Sequence, residues 1–278
     1  MKKTFFVPVL IVAVFTGLSS CQKDTSGEQD SVQQAIISNT FETVSNDIFK
    51  TLIYSVIAVN DSLYHPNDSN NFRLNDPCIT CNLNSADTLS WPKTLHMTFP
   101  AGGCQCADGV SRAGELTIEI PGPAWPLNAK FNVTFNNYTV ASAVVSGFKH
   151  INITDTENFS FTDSTNLVSV SVNPSGQWSA THYCQWVQGH TTPANITDDL
   201  FIYGGNASYE SSIDVAEGIS FRVTIVDALQ FANFCYWIGS GKTEINSPGH
   251  SITTLTYPDS CLNQAVLCVD NKFQTITF

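Results

Sequence analysis

Apolar residues along the chain change their period once. Val32, Ile36, Phe41, Val44, Ile48, Leu52 and Val56 recur at spacings of three to five, which predicts one amphipathic helix over about residues 31–57. Its apolar stripe is expected to dock on the rest of the domain or on a partner. From Leu95 onward the period is two. Leu95, Met97 and Phe99 alternate with polar residues, then Leu116, Ile118 and Ile120, then Phe131, Val133 and Phe135, with Asn132, Thr134 and Asn136 on the opposite face. The runs 144–153, 167–172, 177–187, 200–209, 219–226, 231–238, 242–245, 252–257, 265–269 and 273–278 repeat the pattern. No helical period intervenes, which argues against a parallel sheet with crossover helices. The fold class expected is all-β: an antiparallel sandwich or barrel-like meander of about a dozen strands, preceded by an N-terminal amphipathic helix. Between the two patterns, residues 58–90 are rich in Asn, Asp, Ser and Pro and read as a long loop.

The N-terminus has a pattern of its own. Lys2 and Lys3 precede an apolar stretch from Phe5 to Phe15, followed by Gly17, Leu18, Ser19, Ser20 and Cys21. That layout is a signal peptide, too short in its apolar core to span a bilayer as a helix. Leu18-Ser19-Ser20-Cys21 resembles the bacterial lipobox, which implies acylation of Cys21 and cleavage before it. The alternative is an ordinary cleavage site with a chance cysteine. The expected organisation is a signal peptide over 1–20, a lipidated tether over 21–30, the helix and a disulfide-tied loop over 31–90, and the β domain over 91–278. Gln22-Lys23-Asp24 lacks an aspartate directly after the cysteine, and by resemblance to lipoprotein sorting signals this implies the outer membrane and exposure at the cell surface.

Charge narrows the partners. The whole chain carries a formal net charge of −12, and loss of Lys2 and Lys3 makes it more acidic still. A field of that sign repels nucleic acid and anionic headgroups, so neither is an expected partner. The membrane is reached through the N-terminal lipid, and a glycan or surface protein is the expected ligand. No motif calls for a cofactor or a metal.

Beyond Cys21 there are eight cysteines: Cys78, Cys81, Cys104, Cys106, Cys184, Cys235, Cys261 and Cys268. An even count in an exported chain reads as up to four disulfides. The first four are expected to pair between their two loops and the last four to staple the C-terminal half. The alternative is a zinc site in which Cys78-x-x-Cys81 and Cys104-x-Cys106 supply four thiolates, although the second pair is spaced tightly for a zinc knuckle.

Asp108-Gly109-Val110-Ser111-Arg112-Ala113-Gly114 sits between two alternating runs and reads as hairpin chemistry, with Asp108 and Arg112 as a candidate binding pair. Together with Cys235, Trp237 and Ser240-Gly241-Lys242, it is similar to a pattern in uncharacterised lipoproteins of the Bacteroidota, over roughly residues 90–278. That resemblance implies an exported β fold and carries no activity. Gly239-Ser240-Gly241-Lys242-Thr243 imitates a phosphate-binding loop, but Tyr236 stands where the first glycine is required, and the segment reads as a hairpin tip. Alternation places Trp178, His182, Cys184 and Trp186 on one strand face, which is either core or a sugar-stacking platform. Asp30-Ser31, Asp61-Ser62, Asp87-Thr88 and Asp163-Ser164 match the pattern by which Bacteroidota O-glycosylate exported proteins, making Ser31, Ser62, Thr88 and Ser164 candidate sites. There is no nucleophile elbow and no His-Glu-x-x-His, so no catalytic set is nominated. The expected function is non-catalytic binding of a ligand, glycan or protein, or an envelope role. The alternative is a hydrolase drawing paired carboxylates from residues such as Asp108, Asp198, Asp199, Glu210 and Asp227. A third reading has the helix docking its stripe onto another protein.

Overall fold

The computed structural model describes residues 26–64, 76–123, 127–169, 175–192, 195–212 and 218–278. Cys21 and the segment before it lie outside them. One helix, α1 (Ser26–Tyr64), is followed by thirteen strands: β1 (Thr80–Leu83), β2 (Lys93–Gln105), β3 (Ser111–Ile120), β4 (Lys130–Val140), β5 (Ala143–Asp155), β6 (Ser160–Ser169), β7 (Gly176–Gln188), β8 (Leu200–Ser211), β9 (Ser220–Ala232), β10 (Ser240–Asn246), β11 (Thr253–Tyr257), β12 (Gln264–Val269) and β13 (Lys272–Thr277). They form one antiparallel sheet in strict chain order, with β1 and β13 at its edges. An all-β meander is therefore what the alternation builds, as a single curled sheet rather than a sandwich.

The turns carry the chemistry that such a meander needs. Asp270 and Asn271, between β12 and β13, both adopt positive φ, the type I′ geometry whose twist matches antiparallel strands. Asp108-Gly109 turns β2 into β3 with Gly109 at φ +80°, and Gly114 at φ +81° sits at a bulge where an added Cβ would meet the Asn137 carbonyl.

The sheet wraps the helix. Phe41 stacks on Trp178 of β7, and Phe49 meets Phe161 of β6 and Phe201 and Tyr203 of β8. Ser45 reaches β5, Asp47 reaches β3, Ser55 reaches Met97 of β2, and Glu28 lies 4.0 Å from Lys272 of β13. At 3.6 residues per turn these positions cover the whole circumference of α1. Accordingly almost every residue from Val44 to Val56 is buried, polar ones included. The expectation of a one-sided stripe is thus corrected: α1 runs from residue 26 to 64 and is the core, not a layer laid against it. Packing of most of the stripe against its own sheet counts against docking of this helix on another protein, with Ile36 the stripe residue left exposed.

Many outward positions are polar, among them Thr134 and Asn136 on β4, Ser146 and His150 on β5, Thr162 and Ser164 on β6, and Gln177 and Thr181 on β7, although Val144, Phe148, Tyr183, Val226 and Phe273 are also exposed there. A membrane barrel has the opposite alternation, with an apolar band outside. Among the described residues no helix is long and apolar enough to cross a membrane. Two predicted elements differ from the sequence reading. The run 231–238 is no strand, because β9 ends at Ala232 and the chain turns through Cys235; and Thr80–Leu83, read as loop, pairs with β2. Gly241 marks a bulge at the start of β10, packed against the Ala228 carbonyl, rather than a hairpin tip.

Candidate functional site

Where the inward faces of the strands meet α1, the interior is ionic as well as apolar. Lys149 of β5 and Asp163 of β6 form a buried ion pair, and the Lys149 ammonium also donates to Ser45 Oγ (2.8 Å) and Thr165 Oγ1 (3.0 Å). His182 of β7 places Nε2 3.4 Å from Glu42 Oε1 of the helix and Nδ1 3.9 Å from Asp163 Oδ2. Burial alone would lower the His182 pKa, but the Glu42 carboxylate and Asp163 outweigh it and push the value up to about 10. Burial likewise opposes ionisation of Asp163, and Lys149 together with His182 more than compensates, holding its carboxyl below the usual range. This cluster is a helix-to-sheet clamp.

A second clamp stands on β3. Arg112 donates through Nε and Nη2 to the two oxygens of Asp47 (3.2 and 2.6 Å) and through Nη1 and Nη2 to those of Asp108 (2.9 and 2.8 Å). Asp108 also accepts the Val110 amide, closing the hairpin. The sequence pair Asp108 and Arg112 is therefore real but spent internally, on Asp47. Trp178, His182 and Trp186 do share a face, and it points inward, so the sugar-platform reading is corrected. Trp178 lies against Phe41, and Trp186 donates its indole N–H to Asp199 Oδ1 (3.1 Å).

A surface-accessible cleft lies elsewhere, at the end of the sheet where α1 reaches Lys50 and Tyr54. It encloses about 400 Å³, a size suited to a small ligand. Asp198, Phe234, Gln188, Gln230, Asp259 and Ser260 line it, and Phe234 is 71% exposed. Its wall is the Cys235–Cys261 disulfide, which ties the turn after β9 to the β11–β12 connection. The helix braces it from within: Lys50 Nζ donates to the Cys235 carbonyl (2.8 Å), and the Tyr54 hydroxyl donates to Asp199 Oδ2. Burial raises the Asp199 pKa to about 6 against the opposing hydrogen bonds from Tyr54 and Trp186. Both Asp199 oxygens are thus held inside the protein; Asp198 Oδ2 accepts from Thr192 (2.9 Å), and Asp198 Oδ1 is itself buried with no hydrogen-bond partner.

Of the hydrolase carboxylates, the structure brings Asp198 and Asp199 to this cleft and adds Asp259, which the sequence reading missed. Asp108 belongs to the Arg112 clamp, and Glu210 and Asp227 lie on β8 and β9 outside the cleft lining. Among the O-glycosylation candidates, Ser31 is buried and donates its hydroxyl to the Gly27 carbonyl inside α1, so that site is corrected to a structural one. Ser62 lies in α1 with its side chain outside the described residues. Thr88 is exposed in the turn before β2, and Ser164 is exposed on the outer face of β6.

The cysteines pair as Cys78–Cys104 and Cys235–Cys261. The first links the two loops and the second staples the C-terminal half, each as expected, whereas Cys81, Cys106, Cys184 and Cys268 are thiols, so each group of four forms one bridge rather than two among the described residues. Cys184 is a core thiol whose pKa burial drives far up, and no disulfide sits beside the buried indoles. Asp76, Cys78 and Cys106 gather three ligating atoms within 4.8 Å of one another. No family model, no curated protein and no solved structure matches this chain.

Proposed function

We propose that this chain is an exported lipoprotein of the Bacteroidota surface type, anchored in the outer membrane through Cys21, whose β domain binds a glycan without catalysis at the cleft beside Cys235–Cys261. The observation that carries this reading is the position of the cleft along the helix. The tether joins α1 at Ser26, and Lys50 and Tyr54 brace the cleft roughly 36–42 Å further along at a 1.5 Å rise per residue. A ligand site is thereby held away from the membrane. The acidic balance fits a domain standing in water on a tether.

The lining favours a polyhydroxylated ligand: an exposed phenyl face for the apolar side of a sugar ring, and carboxylate and amide groups for its hydroxyls. Hydrolysis is the weaker reading. It has three carboxylates in its favour, but the one with an elevated pKa, Asp199, turns both oxygens into the protein, away from any substrate.

Two experiments test this. With Cys21→Ser, the full-length protein should move from the membrane fraction to the soluble fraction of a Bacteroidota host, and protease added to intact cells should digest the wild type. Retention of the variant on the membrane defeats the anchor. On a glycan array the wild-type protein should bind at least one glycan class, and Phe234→Ala or Asp198→Asn should weaken that binding tenfold or more, about 1.4 kcal/mol. Binding unchanged by both variants removes the cleft from the proposal, and glycoside turnover abolished by Asp198→Asn establishes the hydrolase instead.

A further inference from the structure

We propose that Asp76, Cys78, Cys104 and Cys106 form a zinc-type metal site that is closed while Cys78–Cys104 is oxidised and opens when that disulfide is reduced. The inference rests on convergence. A carboxylate oxygen of Asp76 and the sulfurs of Cys78 and Cys106 lie within 4.8 Å of one another, all three residues buried, and Cys104 is bonded to Cys78. In a tetrahedral site with metal–sulfur bonds of about 2.3 Å, neighbouring sulfurs stand about 3.8 Å apart. Asp76, Cys78 and Cys106 come to within about 1 Å of that spacing, and the Cys78 and Cys104 sulfurs, bonded to each other when oxidised, must part by about 1.8 Å once reduced.

The scaffold holds these donors independently of the disulfide. Asp76 accepts the amides of Cys78 (2.8 Å) and Ala107 (2.5 Å), so one carboxylate orients both loops. The Cys106 turn is closed by its own amide donating to the Val110 carbonyl (2.9 Å) and by the Gly109 amide donating to the Cys106 carbonyl (2.8 Å). A void of about 10 Å³, bordered by Asp76, Cys106, Asp108 and Arg112, adjoins the donors and leaves room for them to shift. Three thiolates and a carboxylate around a divalent ion carry a net charge of −2. Cys81 is outside this group, on β1 opposite Met97, so the donor set is not the two sequence pairs.

The chemistry balances with a named reductant. A water-soluble phosphine and one water reduce the Cys78–Cys104 bond to two thiols, the phosphine leaving as its oxide. A divalent ion then replaces the three thiol protons of Cys78, Cys104 and Cys106, while Asp76 binds as the carboxylate. In the reverse direction a small-molecule disulfide takes the two electrons of Cys78 and Cys104 and, with two protons from water, leaves as two thiols; the protein disulfide rejoins, two donors are lost, and the ion is released as Cys106 regains its proton.

The test uses full-length protein in detergent, oxidised or phosphine-reduced, titrated with Co²⁺ and then Zn²⁺. Reduced wild type should take up one Co²⁺ with the visible bands of a tetrahedral ion and a near-ultraviolet sulfur-to-cobalt band, both erased by Zn²⁺. Oxidised protein should show neither. Cys106→Ser, which leaves both disulfides intact, should weaken binding at least tenfold and diminish the sulfur band; Asp76→Asn should weaken binding with the sulfur band retained; and Cys81→Ser should match the wild type. The proposal is overturned if reduced wild type gives no cobalt bands, if oxidised protein binds equally, if Cys106→Ser leaves binding unchanged, or if Cys81→Ser abolishes it.

Discussion

Asp163→Leu is expected to cost the domain about 3–5 kcal/mol, enough to leave little folded protein at 37 °C. Asp163 stands between Lys149 and His182, with all three side chains essentially sealed from solvent. Removing the carboxylate leaves two buried cations facing Glu42 alone. Breaking a buried ion pair from one side is costly for that reason, whereas replacing both partners with apolar groups of similar volume is tolerated. The double variant Lys149→Met/Asp163→Leu should therefore recover most of the loss in urea unfolding, and failure to do so would show that packing rather than charge holds the site.

The same groups fix the pH profile. His182, raised to about 10 when folded, contributes fully below its unfolded value near 6.5 and loses that contribution as pH rises through 10. Asp163, lowered when folded, contributes above its unfolded value near 3.8 and loses it as pH falls below. Asp199 acts in the opposite sense. With its folded value near 6, ionisation costs stability at higher pH, and that cost is relieved as pH falls from 6 toward 3.8. All three place maximal thermal stability between about pH 4 and 6.5. The unfolding temperature should be higher at pH 5.5 than at pH 9, and Asp199→Asn should flatten the rise between pH 7 and 5 while leaving the alkaline loss.

How much of this was legible follows from what each period records. Alternation gave the meander, because a strand with one buried face writes its pattern into every second residue. The same alternation also placed Lys149 in phase with Val145 and Ile151, Asp163 with Phe161 and Leu167, His182 with Trp178, and Arg112 with Leu116. Charges at inward positions are the signal that the interior holds opposite charges. The helix was harder. A 3.6-residue period reports which positions are apolar, and in α1 the buried Glu42, Asp47 and Lys50 mimic a solvent face although the sheet covers them. The cleft left no local trace, since Asp198, Phe234 and Asp259 come from three separate connections. Cysteine parity overcounted the bridges because it is blind to which strand face a thiol occupies: Cys184 points into the core.

Phe49→Ala is expected to match the ionic lesion, at about 3–5 kcal/mol, for a different reason. Phe49 is fully buried at the centre of α1 and meets Phe161, Phe201 and Tyr203 edge-on, with ring centroids 5.3–5.5 Å away. A helix enclosed on every side cannot shift toward one wall without leaving the others, so the cavity would persist instead of collapsing. The cost should sit near the upper end of the large-to-small range, and Phe49→Leu should recover more than half of it. Phe49 also precedes Lys50, whose ammonium holds the Cys235 carbonyl at the cleft wall. Ligand affinity should consequently fall with Phe49→Ala even at temperatures where the protein remains folded, whereas Phe234→Ala should lose affinity with stability unchanged within about 0.5 kcal/mol. Calorimetric unfolding and ligand titration of the two variants side by side separate a bracing role for the helix from a merely space-filling one. Equal affinity for wild type and Phe49→Ala in the folded range would show that the cleft is held by its disulfide alone.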